Sequence, residues 1–453
     1  MRDTPCELEC AYDNTTINKN GSMNIIKYPA PSDWASIVAR PHIDMTHLND
    51  TVSKVIDEIR QGGDAAVKKY EKEFDHVELD SLLVSKDEMR AAQKHIPADL
   101  WNAMQLAHEN IRKFHAAQQF NEIKVETAPG VVCWQKAIPI ERVGLYIPGG
   151  TAPLFSTVLM LATPAKIAGC KHIIMCTPPD KTGHVNPAIL AAASIAGIDH
   201  VYKAGGVQAI AAMAYGTESV PKVSKIFGPG NQYVMAAKQR VSLDSVAIDM
   251  PAGPSEVCVI ADAQSNPRYV AADLLSQAEH GIDSQVLLIS TSEQTIDAVE
   301  QEIGRQLDVL PRKDIAAKAL ENSKIVLVHN GDEAMALSNA YAPEHLIIAT
   351  ADYAELAEKV VNAGSVFLGN YACESAGDYA SGTNHTLPTH GYADAYSGVN
   401  LDSFMRKVTF QHLDREGVRS IGRAVETMAE NEQLLAHKNA MTLRLSDIEK
   451  SNT

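Results

Sequence analysis

The side chains best suited to act together chemically are an amide, two imidazoles and a carboxylate. Gln277 and His280 are three positions apart in a predicted helix, so both side chains project from the same side of it. Asp378 and His437 lie further along the chain. Imidazoles with a carboxylate and few thiols nearby are typical of a catalytic zinc site rather than a closed structural one. The spacing supports only the first pair, and a histidine that merely caps its helix remains the alternative interpretation of His280.

Glu344 and His345 form a second acid–imidazole pair, directly after Pro343 at the start of a predicted strand. Adjacent residues of a strand point to opposite faces, so both reach one site only if the backbone turns at Pro343. Such a pair offers two general bases, one for an alcohol and one for a water molecule. The alternatives are a helix cap and a surface pair. Cys133 and Cys170 are weaker candidates as nucleophiles, because a strand position and the end of an apolar helix favour inert packing.

Three glycine-rich turns follow predicted strands, at residues 148–150, 205–206 and 228–231. In an open parallel sheet, ligands bind outside the carboxyl ends of the strands. Glycines there let the backbone approach a phosphate, and the following helix presents unpaired N–H groups. None of the three turns has the G-x-G-x-x-G or P-loop pattern, so ordinary tight turns are the alternative. Together they favour a nucleotide with a pyrophosphate.

Short β-branched segments alternate with helical patterns from Val132 onward, which is typical of βαβ units around a parallel sheet. The first series of predicted strands is Val143–Ile147, His172–Cys176, His200–Lys203, Lys225–Phe227 and Val246–Asp249. The second series is Glu256–Ile260, Gln285–Ser290, Ile325–His329, His345–Ile348 and Ser365–Leu368. Helical patterns precede and follow them, from Asp44 to about Phe120 and from Leu401 onward. The polar loop Gly382–Gly398 is expected to line a site.

Size and charge narrow the classes of function. A chain of 453 residues is expected to form two or three domains. A net charge of −16 without any basic run argues against nucleic acid and anionic membranes as partners, and no apolar stretch is long enough to span a bilayer. Seven scattered cysteines fit reduced thiols in the cytoplasm. Residues 1–22 are predicted to be a flexible leader without signal-peptide features, and Met23 is an equally plausible start.

Several segments, taken together, resemble the histidinol dehydrogenase family. They are RVGLYIPGGTAPLFSTVLMLATPAKIAGC, KIFGPGNQYV, AIDMPAGPSEV, DLLSQAEHGIDSQ, YAPEHL, SGTNHTLPT and AHKNA. The matching segments occur in order between about Gly130 and Leu445. The resemblance implies a zinc-dependent enzyme that uses two NAD+ in turn to oxidise L-histidinol through L-histidinal to L-histidine, the last steps of histidine biosynthesis. It also implies a domain-swapped homodimer.

The resemblance assigns roles to individual positions of this sequence. The implied zinc ligands are Gln277, His280, Asp378 and His437. The implied catalytic bases are Glu344 and His345. The implied substrate contacts are Ser255, Gln277, His280, His345, Asp378, His385, Glu432 and His437. The implied NAD contacts are Tyr146, Gln208 and Asn231.

The expected architecture is α/β, with two Rossmann-like, incomplete parallel-sheet domains and small helical extensions at both ends. An N-terminal arm (23–45) precedes a substrate and zinc domain (46–145 with 255–399), an NAD domain (146–254) and a C-terminal helical extension (400–453) that enters the partner's site. One alternative is a paralogous zinc- and NAD-dependent alcohol dehydrogenase acting on another small polar alcohol, such as a sulfonated diol. Another is a non-catalytic zinc- or nucleotide-binding protein. Glu432 and the intact AHKNA stretch favour histidinol, and the retained Glu344–His345 pair favours catalysis.

Overall fold

The computed structural model describes residues 23–40, 46–149 and 152–450 of the chain. The predicted flexible leader, residues 1–22, lies outside the described residues, as do residues 41–45 of the predicted arm. None of the helices in the described part of the chain has both the length and the apolar character needed to cross a membrane.

The described strands, in chain order, are β1 (Asn24–Lys27), β2 (Lys124–Ala128), β3 (Val131–Pro139), β4 (Arg142–Tyr146), β5 (His172–Thr177), β6 (Val201–Lys203), β7 (Lys225–Phe227), β8 (Ala247–Ile248), β9 (Glu256–Ala261), β10 (Gln285–Ser290), β11 (Lys324–Leu327), β12 (His345–Ile348), β13 (Ser365–Leu368) and β14 (Met405–Leu413). The described α-helices are α1 (Trp34–Ile37), α2 (Thr46–Phe74), α3 (Lys86–His95), α4 (Ala98–Ala116), α5 (Phe155–Ala168), α6 (Pro187–Ile195), α7 (Gly206–Tyr215), α8 (Gln232–Ser242), α9 (Pro267–Ala278), α10 (Glu293–Leu307), α11 (Lys313–Glu321), α12 (Gly331–Tyr341), α13 (Tyr353–Ala357), α14 (Glu374–Tyr379), α15 (Arg415–Asn431) and α16 (Leu435–Lys450).

Six parallel strands form the larger sheet, in the order β1-β11-β10-β9-β12-β13. Its central strand β9 is buried along its whole length, as expected for a parallel sheet covered on both faces. Alternate side chains enter different cores. Val257 and Val259 pack with α9, α10 and α11 on one face, while Cys258 and Ile260 pack with α12 on the other.

Five parallel strands form the second sheet, in the order β6-β5-β4-β7-β8. Leu145 of β4 faces a core built with α4, α5 and α6, and Tyr146 faces a core built with α2, α7 and α8. The chain runs from β4 to β5 on one side and reaches β7 on the other. The strand order therefore reverses at β4, which creates a crevice at the carboxyl edge of this sheet. Two parallel sheets in an α/β protein confirm the predicted fold class.

The packing divides the chain differently from the predicted division into domains. Residues 46–145 were expected to join the larger sheet, but α2, α3 and α4 pack against helices of the five-stranded sheet, and β4 is its central strand. Apolar side chains such as Val55 and Ile111 explain this arrangement, because they complete the two cores of that sheet. Strand β1 of the predicted arm pairs with β11 at the edge of the larger sheet.

The C-terminal region is not purely helical, and this part of the prediction was wrong. Met405–Leu413 is a strand that pairs with β3 in an antiparallel sheet of order β14-β3-β2. Val408, Thr409 and Phe410 favour a strand, but much of β14 is exposed, so the apolar alternation that marks a half-buried strand is weak. Helix α15 contacts this sheet, and α16 packs against α15.

Candidate active site

Helix α9 positions the first predicted ligand. The Asn266 side chain accepts a hydrogen bond from the backbone N–H of Arg268, and Pro267 begins the helix. Gln277 is buried in the last turn, with 1% of its surface exposed. The helix ends at Ala278, so His280 lies just beyond it rather than in its last turn. The exposed His280 ring and the Gln277 amide still lie at the same end of the helix.

Three side chains form a cluster that could hold a metal ion. Ligand atoms of His280, Glu374 and Asp378 all lie within 4.8 Å of one another. Glu374 and Asp378 are four residues apart on α14, so one helix aims both carboxyl groups at the cluster. The NH2 group of the Gln277 side chain donates to the Glu374 carboxylate. The oxygen of the same amide accepts a hydrogen bond from the backbone N–H of Glu256 at 3.0 Å. The structure therefore brings three of the four predicted ligands together and adds Glu374.

Glu374 was not predicted from the sequence, although its spacing from Asp378 was a signal for it. It is 1% exposed, and a carboxyl group buried to that extent requires a partner. Its spacing of four residues from Asp378 repeats the logic that linked Gln277 to His280. The sequence ESAGD around it contains no apolar stripe to mark the helix, and α14 has only six residues.

Glu344 and His345 reach one site because the backbone turns before β12. Ala342 ends α12 in a left-handed conformation, with φ of 48°. The Glu344 carboxylate then accepts a hydrogen bond from the backbone N–H of Glu256 at 2.9 Å. His345 Nδ1 lies 3.2 Å from the backbone oxygen of Glu256 and 3.6 Å from Glu344 Oε2. The backbone of Glu256, the first residue of β9, thus fixes both Glu344 and His345.

The other ring nitrogen of His345 points into the cluster. His345 Nε2 is buried, lies 3.6 Å from Oδ1 of Asp378, and has no hydrogen-bond partner among the described residues. Because an unpartnered buried polar atom costs free energy, a ligand that supplies a partner is favoured here. His385 lies beside it, with Nδ1 3.0 Å from the backbone oxygen of Asp378 and Nε2 3.1 Å from Thr157 Oγ1.

Carboxyl groups dominate the electrostatics of this cluster. Burial raises the pKa of Glu344 and the pKa of Glu374 to about 8 each. Burial would lower the pKa of His345, but nearby carboxylates, Glu374 foremost, outweigh burial and raise this pKa to about 10. Burial would likewise raise the pKa of Asp378, but His345 outweighs it and the pKa of Asp378 is lowered. A group of carboxyls this close together fits a bound cation, and carboxylate with imidazole is a donor set that zinc accepts.

A cavity of about 390 Å³ connects this cluster to the five-stranded sheet. Ser255 and His280 line it from the larger sheet, and Asn231 lines it from the turn after β7. The carboxyl edge of the five-stranded sheet therefore faces the amino ends of β9 and β10. Gly228 in this turn must be glycine, since a Cβ there would lie 2.1 Å from the backbone oxygen of Tyr146.

The three predicted NAD contacts all lie at the carboxyl edge of the five-stranded sheet. Asn231 caps α8 by accepting hydrogen bonds from two backbone N–H groups, and it lines the cavity. Tyr146 ends β4, and its hydroxyl accepts a hydrogen bond from Gly206 N at 3.2 Å. Gln208 is 1% exposed in the first turn of α7. The structure thus places all three near the crevice where the strand order reverses.

Two predicted site residues are not brought to the cluster. Glu432 follows α15 and His437 lies in the first turn of α16, and both are exposed. Helices α15 and α16 pack against each other, and α15 contacts the three-stranded sheet. Within the described part of this single chain, no metal-binding group includes His437.

The structure has two parallel sheets, with glycine turns on one and an acid–imidazole cluster at the other. This arrangement is the one expected of a dinucleotide-linked oxidoreductase. The sequence model of the family described as "Histidinol dehydrogenase" matches residues 38–445. A histidinol dehydrogenase of Bacteroides thetaiotaomicron is 63% identical over 94% of this chain and 100% of its own length. A chloroplastic histidinol dehydrogenase of Arabidopsis thaliana is 52% identical over 91% of this chain and 89% of its own.

A solved structure leads to the same family. The crystal structure of histidinol dehydrogenase from Elizabethkingia anophelis superposes with a TM-score of 0.93 at 52% identity, and the match covers 96% of this chain and 100% of that chain. The chain therefore belongs to the histidinol dehydrogenase family. The resemblance noted from the sequence is confirmed.

Proposed function

We propose that the chain catalyses the zinc-dependent oxidation of L-histidinol through L-histidinal to L-histidine, with one NAD+ reduced in each of two steps. Its family places it among the NAD-dependent oxidoreductases of histidine biosynthesis. The observation that carries the proposal is the cavity, which joins Asn231 at the nucleotide crevice to Ser255 and His280 beside the acid–imidazole cluster. A hydride donor held in the cluster would face a dinucleotide held in the crevice.

The metal would be held by Gln277, His280 and Asp378 of one subunit, with His437 supplied by a second subunit. When bound, Zn²⁺ would fix the imidazole and amino nitrogens of the substrate and so orient the reacting carbon beside the nicotinamide. Glu374 contacts Gln277 and would orient its amide toward the ion, as residues around a metal site commonly do for its ligands.

His345 would act as the base for the substrate hydroxyl. Its Nε2 is buried without a hydrogen-bond partner and faces the cluster, while Glu256 fixes Nδ1. The imidazole would take one proton in each oxidation, as the hydride leaves for NAD+. Glu344 would activate the water that hydrates the aldehyde, so that the second oxidation starts from a hydrate.

The remaining substrate contacts would come from both sides of the cavity. Ser255 lines the cavity directly. His385 is held beside Asp378, and burial lowers the pKa of its ring, which keeps it neutral and able to accept a hydrogen bond. Glu432, like His437, would enter from the second subunit and offers a carboxylate to the substrate.

A homodimer with exchanged C-terminal segments accounts for the position of these two residues. In the described part of this segment, the apolar cluster between α15 and α16 contains three buried side chains, Val418, Leu445 and Ile448. Apolar side chains of the same segment are instead exposed, including Leu435 at 64% and Met428 at 66%. An apolar groove of about 760 Å³, which includes Trp134 and Phe410, opens on the adjacent three-stranded sheet. Exposed apolar surface of this kind supports a subunit interface. We also propose that the dimer is cytoplasmic, because free thiols such as those of Cys176 and Cys258 fit a reducing compartment.

One assay tests the proposed reaction. NADH formation is followed with L-histidinol, with the metal-chelated protein, and after zinc is added back. We expect two NADH per L-histidine formed, loss of activity on chelation and recovery with zinc. A sulfonated diol serves as the competing substrate, because a paralogous alcohol dehydrogenase would prefer it. Activity only with the diol, or full activity after verified zinc removal, would overturn the proposal.

A further inference from the structure

A pair of buried carboxyl groups lies at the end of α2, outside the proposed metal cluster. Glu71 has no exposed surface, and Asp75 is half-buried one turn further on. The backbone N–H groups of Asp75 and Val77 both donate to the carbonyl oxygen of Glu71, at 3.0 and 3.3 Å. These two hydrogen bonds cap the end of the helix and hold both carboxyl groups toward the five-stranded sheet. The proposed mechanism uses neither of them.

Both carboxyl groups hold the turn between β6 and α7. Glu71 Oε1 accepts hydrogen bonds from the backbone N–H of Gly205 at 2.9 Å and from Gln208 Nε2 at 2.8 Å. Gln208 Nε2 also lies 3.2 Å from Asp75 Oδ2. The next N–H of the turn, that of Gly206, donates to the Tyr146 hydroxyl at 3.2 Å. Two of the three proposed NAD contacts therefore share this network.

The network fixes the orientation of the Gln208 amide. Because its NH2 group is bound to two carboxyl groups, its oxygen must point the other way, toward Gly206. This oxygen is buried and has no hydrogen-bond partner among the described residues. A Cβ added to Gly206 would lie 3.1 Å from it, so the glycine leaves the space beside the oxygen open. A ligand with a hydroxyl or amide donor would satisfy it.

Packing alone does not account for two carboxyl groups at this place. Burial first, and then the charge of Asp75, raises the pKa of Glu71 to about 7, while burial also raises the pKa of Asp75. Among the described residues, the other titratable groups that interact electrostatically with the pair are His76, Tyr146 and Cys176. A buried carboxyl group is costly to the fold, and strongly shifted pairs of this kind cluster at functional sites.

We propose that Glu71 and Asp75 are positioning residues for the dinucleotide, which hold the Gly205–Gly206 turn and present the Gln208 oxygen to bound NAD+ or NADH. The inference rests on the proposed dinucleotide site. Neither carboxyl group touches the reacting atoms, and both act through Gln208 and the backbone of the turn.

The test compares Glu71→Gln and Asp75→Asn with a matched control, Glu73→Gln, an exposed carboxylate on the same helix. NADH binding to the zinc-loaded full-length protein is measured by fluorescence titration without histidinol, and KM values are measured by turnover. We expect the NADH dissociation constant and the KM for NAD+ to rise about tenfold in the two variants, because a charge-assisted hydrogen bond is lost. The KM for L-histidinol and the zinc content should match the control, and KM for NAD+ should rise far more than kcat falls.

A double-mutant cycle separates positioning from a general loss of stability. Because Glu71 holds both Gln208 and Gly205, the effect of Glu71→Gln on NADH binding should become smaller, without vanishing, in a Gln208→Ala background. Equal NADH affinity in Glu71→Gln, Asp75→Asn and the control would overturn the inference, as would full additivity in the cycle. If Glu71→Gln fails to fold, the inference is tested with Asp75→Asn instead, by its NADH affinity relative to the control and by its cycle with Gln208→Ala. Because NADH binding needs no turnover, a failure of the proposed oxidation would be seen separately in the wild type.

Discussion

The position of His345 Nε2 illustrates how single atoms define this site. The atom is buried and faces Asp378, while the other ring nitrogen is fixed by the Glu256 backbone. Glu374 and Asp378, two of the carboxylates that raise its pKa to about 10, are also the carboxyl groups that would surround a metal ion. A cation bound among them would weaken their attraction for the proton on His345. The imidazole would then be available as a base at neutral pH.

Substitution of His345 tests its role in proton transfer. His345→Asn keeps a hydrogen-bonding side chain but removes the basic nitrogen, so we expect kcat to fall by about 100-fold or more. Zinc content and thermal stability should stay close to those of His200→Asn, a control at an exposed histidine on the same chain. NADH formation from L-histidinol measures the loss. Wild-type turnover by His345→Asn would remove this residue from the mechanism.

Substitution of Glu374 tests whether it supports the metal site. Glu374→Gln removes a carboxyl group that contacts the Gln277 amide and would ionise beside a bound cation, so we expect zinc affinity to fall by about 10- to 100-fold. Competition with a fluorescent zinc chelator measures this directly, without turnover. Glu355→Gln, at an exposed carboxylate, is the control. Equal zinc affinity in both variants would show that Glu374 has no part in holding the metal.

At the residue scale, contacts between residues close together in the sequence could be predicted, and contacts between distant residues could not. Gln277 and His280 could be paired from the sequence because they are three residues apart. The contact of Asp378 with His280 required the family resemblance, since nearly one hundred residues separate them and no local pattern links them. The network of Glu71 with Gln208 was likewise invisible, because it joins α2 to α7 across the core of the five-stranded sheet.

At the element scale, burial explains which strands were predictable. Strands such as Gln285–Ser290 and His345–Ile348 are buried throughout and bounded by polar turns, so their predicted and observed bounds agree. Strand β14 lies on a small antiparallel sheet and has no buried residue, and its polar sequence was taken for a helix. The helical pattern of α2 was recognised, but periodicity alone does not reveal which sheet a helix covers.

Helix α2 is attached to the five-stranded sheet partly through Asp64, just after its kink at Gly63. The Asp64 carboxylate accepts hydrogen bonds from Thr217 Oγ1 at 2.5 Å and from Ser219 N at 3.1 Å, as well as from the Ser219 hydroxyl. Burial would raise the pKa of Asp64, but these hydrogen bonds outweigh burial and lower it. The ionised form therefore contributes stability above the unfolded-state pKa, and this contribution is lost as pH falls through the lower folded-state pKa.

Asp64→Asn should lower the free energy of unfolding at pH 7 by about 1 kcal/mol, after allowance for solvent screening. The difference from wild type should shrink as pH falls toward 3, because wild-type Asp64 then becomes protonated as well. Urea denaturation at several pH values measures both effects. Asp57→Asn, an exposed carboxylate on the same helix, is the control. A difference that does not depend on pH would refute the assigned role of the charge.

At the scale of the whole molecule, the two parallel sheets face the cavity with opposite edges. The five-stranded sheet presents its carboxyl edge to the cavity, as expected for an open α/β sheet. The larger sheet instead presents the amino ends of β9, β10 and β12, where Ser255, Ser284 and His345 lie. The proposed dinucleotide crevice therefore lies where it is usual for such a sheet, whereas the proposed metal cluster is built from the ends of helices α9 and α14 and the start of β12. The rule that ligands bind at the carboxyl ends of parallel strands predicts the location of the crevice but not that of the cluster.

The proposed exchange of C-terminal segments between subunits can be tested by mixing two variants that are each expected to be inactive. In His437→Ala the C-terminal segment is defective, and in His345→Asn the cluster is defective. If segments are exchanged, a mixed dimer has one site with both defects and one site with neither. Random reassembly of equal amounts gives half mixed dimers, so activity should recover to about a quarter of the wild-type value. If each site is built from one chain, every site in the mixture keeps one defect. No recovery, after distinct affinity tags confirm that mixed dimers have formed, would show that His437 serves its own subunit.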